Sequence, residues 1–188
     1  MAGDAGDAVR DRACRGRGDY LSGSEGRTTG TRLAYRLSES LQYVTELTRR
    51  EEERWCEERR ADVAEYLRSE GLHHGRVREW PAWHIAPYVS IWAIERATAA
   101  ESVGWWVICG DLPTDYLSAS QAADPREALR AFAARWIEVA AYMLRGEAHP
   151  TIEIGSPRTW PELAPKLKKR AELLTSSADD ETSWQRAP

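Results

Sequence analysis

Apolar positions along this chain keep two rhythms. From 39 to 70, Leu41, Val44 and Leu47, then Cys56, Val63 and Leu67, return at helical spacing, with Trp55 and Tyr66 beside the stripe. The other positions there are charge-dense, and Arg49 with Glu53 and Arg54 with Glu58 stand four apart. Gly71 follows as a C-cap, so the pattern predicts one long helix over 39–70, or two joined near Glu51. The rhythm then changes. Residues 88–95 and 103–110 are dense in Val, Ile and Trp and predict a β-hairpin closed by 97–102. A symmetric register sets Trp92 opposite Trp106, Ile91 opposite Val107 and Ala93 opposite Trp105. One face then carries Val89, Ile91, Ala93, Val103, Trp105, Val107 and Cys109; the other carries Tyr88, Ser90, Trp92, Ile94, Gly104, Trp106 and Ile108. A one-residue slip exchanges these sets.

Helical spacing returns after Asp124-Pro125-Arg126-Glu127, an N-cap with proline at the first helical position. Leu129, Phe132, Trp136, Ala140 and Met143 share one face of that helix, and Gly146 ends it. Thr151 to Ile154 alternates and offers a third strand. Thr159-Trp160-Pro161-Glu162 reads as a capping box for a last helix through Leu163, Leu167 and Leu174, which Pro165 kinks or delays. Trp184, in a polar and acidic end, is an expected docking anchor. The sum is an α+β fold: a small antiparallel sheet with the long N-terminal helix and two C-terminal helices on one face.

Composition narrows this picture. Glycines and polar residues crowd residues 1–37, which are expected to be a disordered tail ahead of one domain over 38–184. Arg17-Gly18-Asp19 in that tail reads as compositional chance. A net charge of -4 gives no reason to expect nucleic acid as a partner, and no apolar run reaches membrane-spanning length. Cys14, Cys56 and Cys109 lie far apart, which argues against a disulfide framework or zinc cage and for a cytoplasmic, reducing location. The four histidines lack metal-ligand spacing, so no metal and no cofactor is expected. Acyl-hydrolase, P-loop and dinucleotide motifs do not occur in the sequence.

Candidate chemistry gathers after the hairpin. Asp111 and Asp115 flank Leu112-Pro113-Thr114 in an expected loop, placed either to cap their own turn or to work as paired carboxylates. His84, among Trp80, Trp83 and Pro87, is a candidate base or a packed imidazole. Glu95, at a strand end, is expected to reach solvent. The hairpin's aromatic face, with Tyr88, Trp92 and Trp106, is core, pocket wall or interface. Lys166, Lys168, Lys169 and Arg170 read as a solvated basic face.

The stretches YVSIWAIE, SVGWWVICGDLPTDY, HPTIEIG and TWPELAP with RAELL resemble a small bacterial family catalogued only as a domain of unknown function, DUF4826-like, from about Arg54 to Trp184. The resemblance implies a bacterial origin and a compact α+β domain, and brings no activity, cofactor or catalytic residue. The residues favour a non-catalytic binding module, accessory or immunity-type, for a partner protein or small ligand. Its surface would be Trp80–His84, the 111–116 loop and the start of the 125–145 helix, with Trp83, His84, Trp92, Trp106, Asp111, Asp115, Tyr116 and Arg126 as contacts. The alternative is a small metal-assisted or general acid–base enzyme with Asp111, Asp115 and His84 as working groups and Arg126 holding an anion. Convergence of those three on one concave pocket separates the two.

Overall fold

The computed structural model describes residues 48–185 together with a two-residue strand, β1 (Asp11–Arg12). Apart from that strand, the expected tail and residues 39–47 of the expected first helix lie outside the described residues. Helix α1 (Arg49–Ser69) starts on a capping box. The Thr48 hydroxyl accepts from the Glu51 amide at 3.4 Å, and the Glu51 carboxylate accepts from the Thr48 amide at 2.9 Å. That cap places the helix start before Glu51, so residues 49–69 form one helix. At the other end Gly71 takes φ +65°, with Leu72 donating to the Leu67 carbonyl and Gly71 to that of Arg68. This Schellman closure uses the glycine's freedom in the left-handed region.

Four strands follow as an antiparallel meander: β2 (Trp83–Ile85), β3 (Val89–Arg96), β4 (Ala99–Gly110) and β5 (Leu112–Ser118), paired in that order. The symmetric register survives only at Glu95 opposite Val103. From there inward Gly104 is skipped, and the pairs become Ile94 with Trp105, Ala93 with Trp106, and Trp92 with Val107. Gly104 is the extra residue of a β-bulge, and a Cβ there would meet Arg96 Cγ at 2.9 Å. The slip exchanges the two faces of β4. Val89, Ile91 and Ala93 share a face with Trp106 and Ile108, while Trp92 and Ile94 share one with Trp105, Val107 and Cys109.

Both faces are covered, which corrects the expectation of helices on one side. The first face, with Trp83 and Leu117, packs against α2 (Pro125–Leu144) and α3 (Trp160–Asp179). The second packs against Val63, Tyr66 and Leu67 of α1. The unbroken run of buried residues in β3 reflects this, since a strand buried on both sides has no polar face to alternate. The expected loop over 111–116 is instead mostly an edge strand, β5, where Pro113 is tolerated. The expected third strand at 151–154 is only β6 (Ile152–Glu153), paired with β1 outside the main sheet.

Helix α2 uses the expected cap: Asp124 Oδ1 accepts from the Glu127 amide at 2.8 Å. Helix α3 does not, because the Thr159 hydroxyl is bonded to Ser156 instead. A final turn, α4 (Glu181–Trp184), folds back so that Trp184 stacks on Trp83 at 4.8 Å, with Trp83 Nε1 donating to the Ser183 carbonyl. No helix among the described residues is long and apolar enough to cross a membrane.

Candidate functional site

Register alone separates the expected working groups. His84 lies in β2 opposite Ser90, on the α1 face and at one sheet edge. Asp115 lies in β5 opposite Ile108, on the α2 face and at the other edge. Each has its own partners. His84 Nε2 is 2.7 Å from Glu52 Oε1, and its ring packs 6.2 Å from that of Trp55. Its Nδ1 is buried with no hydrogen-bond partner among the described residues.

Asp115 is buried with both oxygens engaged. Oδ1 accepts from the Tyr116 amide at 2.8 Å and from Arg135 Nη1 at 3.1 Å, and Oδ2 accepts from Trp136 Nε1 at 3.0 Å. Burial pushes its carboxyl above the ordinary carboxylate value, against the opposing pull of Arg135, Trp136 and the Tyr116 amide. The adjoining cavity, between Tyr66, Pro113, Arg135 and Ile152, measures about 20 Å³, room for one water. Asp111 is 81% exposed at the β4–β5 turn, 3.9 Å from Arg170. Asp111, Asp115 and His84 are therefore not brought together.

The aromatic candidates are core. Trp83, Trp92, Trp106 and Tyr116 are all buried. Trp92 Nε1 donates to Ser90 Oγ, and Trp106 Nε1 to the Ala122 carbonyl. The register slip puts Trp92 and Trp106 on opposite faces, so they do not form one wall. Tyr88 lies outside the strands and is exposed. Arg126 ties α2 to the chain's end: Nε donates to the Ala178 carbonyl, Nη2 reaches Glu181 at 2.6 Å, and the guanidinium lies over Trp184. Glu95 is buried rather than solvated, held 3.1 Å from Arg76 Nη2. Burial pushes the Cys56 and Cys109 thiols up to about 11, and both are free. Among the described residues no three His, Cys, Asp or Glu side chains are grouped to hold a metal ion.

The open concave surface lies elsewhere, beside β3. Residues 75–82 run antiparallel to that strand: Gly75 donates to the Glu95 carbonyl, Glu95 to that of Arg76, and Ala82 to that of Ile91. Val77 pairs with Ile94 and Trp83 with Ile91, so six steps on the outer segment span three on β3. The surplus swells outward at Glu79 and Trp80, while Pro81 is buried behind them. Trp80 is left 46% exposed. Opposite it α1 supplies Glu53, Cys56, Glu57 and Arg60, and the space between is a cleft of about 300 Å³. Glu79 also borders a second, shallower hollow of about 520 Å³ lined by Arg76, Arg78, Glu95 and Glu101. Sequence reading passed over Glu53, Glu57 and Arg60 because a charged helix face reads as solvated. The available signal was Trp80-Pro81, a large aromatic before a proline in a polar stretch.

No curated protein and no solved structure matches this chain. A family profile does, over residues 49–184, from the cap of α1 to the Trp184 turn. The chain belongs to the DUF4826 family, a domain of unknown function.

Proposed function

We propose that this domain is a non-catalytic binding module whose contact surface is the cleft between α1 and Trp80. The observation that carries the reading is the exposure of the Trp80 indole at the wall of a concavity, in a protein that buries the four site aromatics named from sequence. Exposed tryptophans beside clefts are the usual anchors of recognition. A Pro-backed bulge holds this one in place, so little ordering entropy is left to lose on contact. An accessory or immunity-type role suits such a module, because occupying a partner is then its whole activity. The free cysteines Cys56 and Cys109 fit a reducing, cytoplasmic setting. The enzyme reading has less support: its premise was convergence, and Asp115 and His84 sit on opposite faces at opposite edges.

The test is a ¹H–¹⁵N spectrum of the full chain titrated with a defined panel of short acidic, neutral and basic peptides, with Trp80→Ala to assign the indole signal. At least one class is expected to move the Trp80 indole and the amides of 53–60, and Trp80→Ala to abolish the effect. Peptides that move only signals around Asp115, or none at all, would overturn the reading.

A further inference from the structure

Resting on the binding reading above, we infer that the partner is a protein segment presenting basic side chains. One Lys or Arg would lie on Trp80 between Glu57 and Glu79, and a second in the hollow beside Glu101. The argument is charge complementarity. The arginines bordering the two hollows are already engaged: Arg60 Nη2 donates to the Val77 carbonyl, Arg76 Nη2 to Glu95, and Arg78 Nη2 to the Glu101 carbonyl. The carboxylates of Glu57 and Glu79 form no hydrogen bond or ion pair with another described residue. An anionic partner would meet guanidinium groups already turned toward internal acceptors, whereas a cationic one meets carboxylates already in place. The indole face adds attraction for an ammonium and, more strongly, for a planar guanidinium.

The occupant is a chain rather than a compact small cation because the two hollows share Glu79 as a common border, so an extended segment crossing that residue reaches both. The bulge also leaves the amides of Glu79 and Trp80 with no hydrogen bond to another described residue, free to meet an extended segment's carbonyls.

The experiment uses the full chain and three matched peptides: one with two arginines, one with citrulline at both positions, and one with glutamate. Isothermal titration is run at ionic strengths of about 0.05 and about 0.5 M. The arginine peptide is expected to bind at least about tenfold more tightly than the citrulline peptide and to weaken several-fold in salt. Glu57→Gln with Glu79→Gln should remove that preference while the melting temperature holds. Citrulline binding as tightly as arginine, with the Trp80 indole still perturbed, would overturn the cationic partner and leave the binding module standing. Binding of the glutamate peptide in preference would do the same. No perturbation of Trp80 by any of the three would overturn both.

Discussion

Asp115 keeps a carboxylate inside the protein by giving each oxygen a donor, from Arg135 and Tyr116 on one side and Trp136 on the other. Replacing it with alanine leaves the buried Trp136 N–H without this acceptor and removes one acceptor from the Arg135 guanidinium. Asp115→Ala is expected to cost about 2–4 kcal/mol, less than a fully buried pair because Arg135 still reaches the Tyr116 carbonyl; denaturant unfolding measures it. The pH dependence has a definite sign. The folded carboxyl titrates above its ordinary value of 3.8, so the folded state holds the proton more tightly than the unfolded chain does. This group's contribution is therefore most favourable at low pH and declines as pH rises from 3.8 through the raised value. Asp180 and Glu181 run the other way: hydroxyl donors lower the first and Arg126 the second, so their contribution is lost on acidification. Subtracting the stability profile of Asp115→Asn from that of the native chain isolates the falling component. A difference that rises with pH would contradict the assignment. Asp115 was legible in the sequence only as one of a pair of candidate carboxylates with Asp111. Its role was not, because Arg135 and Trp136 reach it from a helix about twenty residues further on.

At the scale of elements, glycine positions decide geometry that composition hides. Gly110 has φ +140°, and a Cβ there would stand 2.3 Å from the Tyr88 carbonyl oxygen, at the corner where β4 turns into β5. Gly146 also has positive φ, +73°, but open space around it. Gly110→Ala is expected to cost more than about 3 kcal/mol and Gly146→Ala only about 1 kcal/mol. Thermal melts of the two variants check the ranking, and equal losses would contradict it. The hairpin and α2 were readable because their signals are local: Val, Ile and Trp density for one, and a proline-marked cap with an apolar face for the other. Strand β5 was not, because Leu-Pro-Thr-Asp carries weak strand propensity and forms only through pairing with β4. The hairpin register failed at Gly104, a bulge that alternation alone does not reveal.

At the scale of the whole molecule, the layered arrangement explains why Trp83, Trp92, Trp106 and Tyr116 are buried. A sheet covered on both faces takes its tryptophans inside, and what stays open is an edge. The segment along β3 fills part of that edge, bulges once, and leaves Trp80 facing the acidic side of α1. The helices α2 and α3 and the Trp184 turn then act as scaffold for the opposite face. The α+β class was legible. The two-sided packing was not, since apolar content does not say which face each helix covers. The measurement that bears most directly on this account is the affinity of the two-arginine peptide for the native chain and for Trp80→Ala, paired with their melting temperatures. The account expects at least about tenfold weaker binding with stability changed by less than about 1 kcal/mol, as for an exposed side chain. Equal affinities would contradict it, and so would a large fall in melting temperature, which would make Trp80 a structural residue.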